Sequence, residues 1–305
     1  MAPPKVFVIV LNWNLKDETI TCVESILAST YTPQRVIVVD NGSSDGSALA
    51  IAERFGKAID LIVNETNLGF AAGVNVGIRH ALAHNADFVL ILNNDTVIAP
   101  DMIERLIEAA VLGPDIGILG PVIFYYDQPN RVWRLGDRDL RWLPIPLMVS
   151  AKELQTEKEI LFVDYVTGCG MMVRREVFYK IGLFDPDYFM YYEDADFCRR
   201  AIKAGFSIVC VPSARMWHKV SGSTRGDVSY QRYLKTRSRV LFYRRHYSLL
   251  ALIYLSLSIT WTMLTDLLKG NKEAIWACAR GFYHGWRFDV GKEPDEGVKD
   301  GDGCL

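Results

Sequence analysis

The chain lacks a dominant charge. Its 305 residues carry 34 Lys and Arg against 36 Asp and Glu, a formal net charge of −2. No field of one sign therefore points to nucleic acid as a partner. Cysteine is sparse and scattered: Cys22, Cys169, Cys198, Cys210, Cys278 and Cys304 include no CxxC pair. That argues against structural zinc and against a disulfide framework, and it fits a reducing, cytoplasmic compartment. There is no P-loop, and no GxGxxG follows the first apolar run, so two common glycine-based phosphate cradles are missing. Internal repeats and low-complexity tracts are absent as well. The first apolar run, 6–11, is too short for the core of a signal peptide and predicts a buried first strand.

What is present is a globular chain. Half of its residues are hydrophobic and 23% are charged, which excludes wholesale disorder and allows a sizeable core. Strand and helix alternate four times in the first third. Apolar runs at 6–11, 35–39, 60–63 and 88–92 predict strands, and 47–55 and 71–84 predict helices. Ile20, Val23, Ile26 and Leu27 give another helix one apolar face. The strands are continuous apolar runs, as expected when both faces of a sheet are covered. The fold class is α/β, with a mostly parallel, doubly wound sheet flanked by helices. Ligands of such sheets bind beyond the carboxyl ends of the strands, where Asn12, Asp40 and Asp95 all fall.

Further on, 102–112 and 175–181 read as helices. Residues 125–160 carry many Pro, Asp, Arg and Trp and read as an extended loop region. Regular structure resumes over 164–173. A helix over 194–204 ends at Gly205, and 207–211 predicts a short strand leading to His218.

Three separated segments carry the chemistry. Asp95 ends a strand behind Asn93 and Asn94. A carboxylate there suits a hard cation such as Mg²⁺ or Mn²⁺ that takes part of its shell from phosphate oxygens, although Asn-Asn-Asp-Thr is also good turn chemistry. Glu193 and Asp194 open a helix after an aromatic run, 188–192. An N-cap role would account for one acid; three acids (Glu193, Asp194, Asp196) suit a general base at the helix start. His218 follows a strand and precedes Ser221-Gly222-Ser223, a polar loop expected to be flexible, and is a candidate nitrogen ligand to the same cation. Asp40 begins a Gly/Ser turn and is a candidate acceptor for a nucleotide base. Asn67, Gly69 and Asn75 flank a loop-to-helix junction of small residues that lets a ligand or the sheet approach the backbone.

The last 80 residues differ. From 247 to 268 there is one charge, Asp266, in a run of marginal length for a span and weakened by Ser and Thr. Beyond it, Ile275, Cys278, Ala279, Phe282, Tyr283 and Trp286 fall on one helical face, with Lys272, Arg280, His284 and Arg287 on or near the other. An aromatic face opposite a basic one predicts helices lying at a membrane interface. The alternatives are a single span at 247–268, or packing on the catalytic domain or on a second copy as a homo-oligomer.

Taken in order, seven segments resemble glycosyltransferase family 2: Val8-Ile-Val-Leu-Asn-Trp-Asn14, Val39-Asp-Asn-Gly-Ser43, Asn67-Leu-Gly-Phe-Ala-Ala-Gly-Val-Asn75, Leu92-Asn-Asn-Asp-Thr96, Gly168-Cys-Gly-Met-Met-Val173, Tyr192-Glu-Asp-Ala-Asp196 and Trp217-His218. The likeness covers roughly 5–245 and is greatest to the rhamnosyltransferase-like branch. It implies a GT-A, Rossmann-like catalytic domain over 1–225, with a nucleotide half at about 1–97 and an acceptor half at about 98–225. A C-terminal helical, membrane-leaning region follows at 226–305.

The resemblance further implies an inverting, metal-dependent transfer from a nucleotide sugar. Asp194 matches the catalytic base, with Glu193 beside it. Asp95 and His218 match the metal ligands, for Mg²⁺ or Mn²⁺, with Asn standing where the family's DxD motif has its first acid. Asp40 matches the acid that contacts the base, and Asn12, Asn67, Gly69, Asn75, Asn93 and Asn94 are expected around the nucleotide. The QxxRW motif of processive synthases is absent, so one sugar is expected per encounter. The first expectation for the donor is dTDP-rhamnose, then UDP-galactofuranose or a UDP-hexosamine. The acceptor is a glycan or lipid-linked glycan, at the cytoplasmic face of the cell membrane. Two rival classes are a non-catalytic binding protein on the same fold, which predicts loss of these acids, and a nucleotidyltransferase, which needs a phosphate loop where Asn12-Trp13-Asn14 stands.

Overall fold

The computed structural model describes residues 3–140, 143–155, 158–219 and 228–288. Its first third follows the apolar pattern of the sequence. Strands β1 (Val6–Asn12), β2 (Arg35–Asp40), β3 (Asp60–Val63) and β4 (Phe88–Asn93) alternate with helices α1 (Lys16–Leu27), α2 (Ser47–Phe55) and α3 (Gly69–Ala83). The pairs β1–β2, β2–β3 and β1–β4 are parallel, with Asn12 opposite Asp40 and Leu11 opposite Asn93. This register lines up the carboxyl ends of the strands at one sheet edge. Alternate residues of β1 enter separate cores: Phe7 and Ile9 on one face, Val6, Val8 and Val10 on the other. Burial on both faces is why the strands read as unbroken apolar runs.

Helix α3 packs unusually close to the sheet. A Cβ on Gly77 would sit 2.8 Å from Ile9 Cγ2, and one on Gly73 would sit 2.8 Å from Leu11 Cδ1. The small residues of this segment therefore serve helix–sheet approach.

The sheet continues with β5 (Thr96–Ile98), α4 (Met102–Ala110), β6 (Ile116–Tyr125), β7 (Gln128–Arg134), the hairpin β8 (Asp137–Leu140) and β9 (Leu143–Met148), β10 (Leu161–Val163), β11 (Gly170–Arg174), α5 (Arg175–Ile181), α6 (Glu193–Lys203) and β12 (Ser207–His218). Strand order is β10-β12-β6-β11-β4-β1-β2-β3, with β5 on β12 and β7 on β6. β11 is antiparallel to both β4 and β6, inside an otherwise largely parallel core.

Three expectations are corrected here, and one strand is added. Residues 125–160 are not one loop: β7 extends the sheet and β8–β9 form a hairpin. The expected regular element over 164–173 begins only at Gly170, after a turn-like segment. The strand expected to stop at residue 211 runs to His218, because a register shift between Val211 and Arg215 lets it bend and resume pairing with β6 while β5 adds to its far end. β6, an almost fully buried ten-residue strand, had not been expected.

Three helices follow: α7 (Val228–His246), α8 (Leu249–Leu268) and α9 (Lys272–Arg287). α9 buries Ala274, Ala277, Cys278, Gly281 and Gly285 against α7. A Cβ on Gly285 would come within 2.6 Å of the Arg237 carbonyl oxygen. The packing face of α9 is thus its small-residue stripe, while Trp276, Tyr283 and Trp286 are exposed. α8 buries only Ala251, Leu255, Ile259 and Asp266. Leu250, Ile253, Leu257, Trp261, Leu264 and Leu268 line its other side and are exposed, from 44% at Leu264 to 81% at Leu268. The helix is long and apolar enough to cross a membrane by length and composition. Cys22, Cys169, Cys198, Cys210 and Cys278 are buried free thiols. The loop Ser221-Gly222-Ser223, Cys304 and the expected domain boundary at 225–226 lie outside the described residues.

Candidate active site

One cavity of about 870 Å³ opens at the carboxyl edge of the sheet and runs beneath the C-terminal helices. Asp95, His218, Glu193 and Asp194 all line it, although they come from three distant parts of the chain. The ladder between β5 and β12 places His218 opposite Thr96, one residue beyond Asp95. His218 Nε2 lies 3.0 Å from Asp95 Oδ1, and the Lys219 amide donates to the Asp95 carbonyl at 3.0 Å. The Trp133 ring meets the imidazole edge-on at 4.8 Å between centroids. Both side chains are nearly buried, and His218 Nδ1 has no partner.

This pair fits an octahedral cation in one respect. Neighbouring ligands around Mg²⁺ at about 2.0–2.1 Å stand roughly 3 Å apart, which is the Asp95–His218 separation. Among the described residues no group of three or more His, Cys, Asp or Glu side chains forms a metal site. A cation held here would therefore complete its shell from substrate oxygens and water.

Asp194 is held from three sides. Its Oδ2 accepts from the Tyr165 hydroxyl at 2.8 Å and from the Gly168 amide at 3.0 Å, and its Oδ1 accepts from the Ala195 amide at 2.8 Å. Burial, then the neighbouring Asp194 charge, pushes the Tyr165 phenol well above its usual range, so it stays a donor. The Arg134 guanidinium lies over the Tyr165 ring and pairs with Asp137. Glu193 differs from its neighbour. Its carboxyl is buried, Oε2 has no partner, and burial together with the adjacent Asp194 raises its pKa well above the glutamate range. Two adjacent acids thus have different environments, and only Asp194 is built into a hydrogen-bonded cradle.

The segment before α6 is under strain. Phe189, Tyr191 and Tyr192 all have positive φ, near 59°, 70° and 70°, a region costly for bulky residues. α7 supplies the compensation. Ser238 Oγ contacts the Tyr188 and Met190 carbonyls at 3.1 and 3.0 Å, Arg237 donates to the Asp187 carbonyl at 2.8 Å, and Arg245 pairs with Asp185 and Asp187. His246 Nε2 lies 2.7 Å from Asp196 Oδ1, and Arg200 donates to the other Asp196 oxygen at 2.7 Å. On the opposite side Gly69, at φ +81°, passes so near that a Cβ would sit 2.5 Å from the Phe189 carbonyl oxygen. α7 thus packs directly on the segment ahead of α6.

The residues expected around a nucleotide divide into two groups. Asn67, Gly69, Asn93 and Asn94 line the cavity, together with Trp13 and Asn41. Asn12, Asp40 and Asn75 do not. Asp40 is 1% exposed, and its carboxylate accepts from Asn12 Nδ2 at 2.6 Å and from the Ser43 amide at 3.0 Å. Asn12 Oδ1 in turn accepts from Thr19 and Asn94. These two polar groups brace the loops behind the wall. Asn75 clamps Phe184, donating to its carbonyl at 2.7 Å and accepting from its amide at 3.1 Å. The structure places its amide inside the protein, away from the cavity.

Asn41, Trp133, Arg134 and Tyr165 were not singled out in the sequence. Asn41 was legible as the neighbour of Asp40 in a turn; the other three depend on β7 and on the segment after β10, which carry no periodic signal.

The mostly parallel sheet with a cleft at its carboxyl edge is a GT-A fold. The family model described as "Glycosyltransferase like family 2" matches residues 3–241, and the chain belongs to that family. It is 32% identical over 222 residues to the N-acetylglucosaminyl-diphospho-decaprenol L-rhamnosyltransferase of Mycobacterium tuberculosis, covering 67% of this chain and 72% of that one. It is 26% identical to the dTDP-rhamnosyl transferase RfbF of Shigella flexneri, over 78% of this chain and 80% of the relative. Among solved structures, GalNAc-T7 with UDP, GalNAc and Mn²⁺ superposes with a TM-score of 0.63 at 16% identity, covering 79% of this chain and about half (48%) of that one.

Proposed function

We propose that this glycosyltransferase moves a single sugar, with inversion, from a nucleotide sugar to a hydroxyl of a glycan or lipid-linked glycan in cell-surface polysaccharide synthesis. The donor named first is dTDP-rhamnose, in line with the two rhamnosyltransferase relatives. The observation that carries the reading is the convergence of Asp194 and the Asp95–His218 pair on one cavity.

Asp194 takes the proton of the acceptor hydroxyl. The freed oxygen attacks the anomeric carbon from the face opposite the nucleotide. The new C–O bond forms as the bond from that carbon to the diphosphate oxygen breaks, and the nucleoside diphosphate leaves with the electron pair. The hydrogen bonds from Tyr165, Gly168 and Ala195 keep the base in one orientation. Asp95 and His218 are the residues that would hold Mg²⁺ or Mn²⁺, which when bound offsets the charge developing on the diphosphate. Asn41, Asn67 and Trp13 form the wall expected to receive the nucleoside.

In this reading the protein binds peripherally at the cytoplasmic face of the membrane, which the exposed apolar side of α8 supports. The test is a panel of nucleotide sugars scored for Mn²⁺-dependent thermal stabilisation, followed by turnover and identification of the released product. Nucleoside diphosphate supports the reading. Pyrophosphate release would make the protein a nucleotidyltransferase, binding without turnover would make it a non-catalytic binder, and UDP-galactofuranose as the preferred donor would replace the sugar but keep the mechanism.

A further inference from the structure

The cavity does not end at the catalytic acids. It continues under the C-terminal helices, where its wall is made by one face of α7 and by Tyr254, Ile259, Thr262 and Cys278 of α8 and α9. The α7 face is basic. Arg232, Lys235 and Arg239 stand three and four residues apart, so all three point the same way, and all line the cavity. Arg232 pairs with the buried Asp266 at 3.2 Å. Among the described residues Lys235 and Arg239 have no carboxylate partner. The Lys235 ammonium lies over the Tyr191 ring at 4.9 Å, in the strained segment that leads to Glu193 and Asp194. Arg239 donates to Ser258 Oγ at 3.1 Å. Partial burial, then the charge of Arg232, lowers the Lys235 pKa from its usual value. Asp95, Asp137, Asp139, Asp164, Glu193 and Asp194 also line the cavity, all from elements other than α7; two cations that pair with none of them among the described residues favour an anionic ligand.

The surroundings limit which anion. This lobe is bounded by the helix whose outer side carries exposed leucines and Trp261. A ligand with a polar head in the lobe and an apolar chain along α8 matches both surfaces. We propose that Arg232, Lys235 and Arg239 bind the diphosphate of a prenyl-diphosphate-linked glycan acceptor, while its lipid chain leaves toward the membrane along α8. The assignment rests on the transferase reading above and adds the acceptor class to it. A diphosphate is also present on the donor, so the two sources need separate arms.

The probes are farnesyl diphosphate, farnesol and the nucleoside diphosphate of the preferred donor, titrated into the full chain by calorimetry with Mn²⁺. Farnesyl diphosphate is expected to bind with the nucleotide already saturating and farnesol to bind at least tenfold more weakly. Lys235→Gln with Arg239→Gln should weaken farnesyl diphosphate at least tenfold, leave nucleotide affinity within threefold, and raise the acceptor KM. Lys235→Arg should keep binding. Displacement of farnesyl diphosphate by the nucleotide would assign the basic face to the donor and overturn the proposal, as would equal binding of farnesol or unchanged affinity in the double variant. Failure of the nucleotide itself to bind would instead count against the transferase reading, so the two failures are distinct. Thermal melting of each variant identifies any loss that comes from misfolding.

Discussion

Replacing Asp194 by Asn separates catalysis from structure more cleanly than any other substitution in this cleft. The side chain keeps its shape. An Asn oxygen in the Oδ2 position still accepts from Tyr165 and Gly168, but its amide nitrogen then faces the Ala195 N–H, a donor against a donor. Leaving a donor unpaired costs about 1–3 kcal/mol when buried. Asp194 is half-buried, so water relieves part of this, and about 1 kcal/mol is expected. For a chain of this size that lowers Tm by about 2–4 °C or less. The catalytic effect is larger. A positioned general base is worth about 10²–10⁴ in rate, or roughly 2.7–5.4 kcal/mol of barrier. Turnover should therefore fall by at least two orders of magnitude while nucleotide affinity stays within about threefold. The assay is initial-rate release of nucleoside diphosphate with the preferred donor, beside calorimetric titration of that nucleotide. Turnover within threefold of wild type in a folded protein would show that Asp194 is not the base.

Asp95→Ala and His218→Ala should each abolish the Mn²⁺-dependent part of thermal stabilisation by the nucleotide sugar; equal shifts with and without Mn²⁺ would remove both residues from the metal site. Glu193→Gln should be more stable than wild type at neutral pH and nearly equal near pH 4. The native Glu193 pKa lies above the unfolded value of about 4.3, so wild-type stability falls as pH rises through that window, and parallel Tm–pH curves would refute the assignment. Asn75→Ala should lower stability by about 2–4 kcal/mol through loss of two buried hydrogen bonds to Phe184, measured by urea titration, with little change in nucleotide affinity of the folded fraction. A selective loss of nucleotide binding would restore Asn75 to the site.

The first four strands were legible because their physics is local. β1, β2 and β4 are buried on both faces, and each ends where a polar residue breaks the apolar run, so Asn12, Asp40 and Asn93 mark the sheet edge in the sequence itself. Asp194 and His218 were legible as types in context, one opening a helix and the other ending a strand. What could not be read was orientation. Asp40 and Asn75 look like ligand residues by position, yet their side chains turn inward to partners 28 and 109 residues away from them in sequence. β7 was hidden for a different reason: it is an edge strand, largely exposed along its first half, and carries no alternating apolar pattern. α7 has almost no amphipathic signal, because its buried positions mix polar Thr236 and Ser238 with apolar Leu234, Val240, Leu241 and Phe242, and because Arg237 and Ser238 turn to the loop before α6.

The grip of Ser238, Arg237 and Arg245 on the backbone ahead of α6 bears on how this enzyme can be handled. A truncation just after His218, attractive for removing greasy helices before expression, would also strip the splint from three residues in left-handed geometry. The remaining fragment would be expected to keep its nucleotide wall and lose the fixed aim of its base: a protein that still recognises the donor and no longer turns it over.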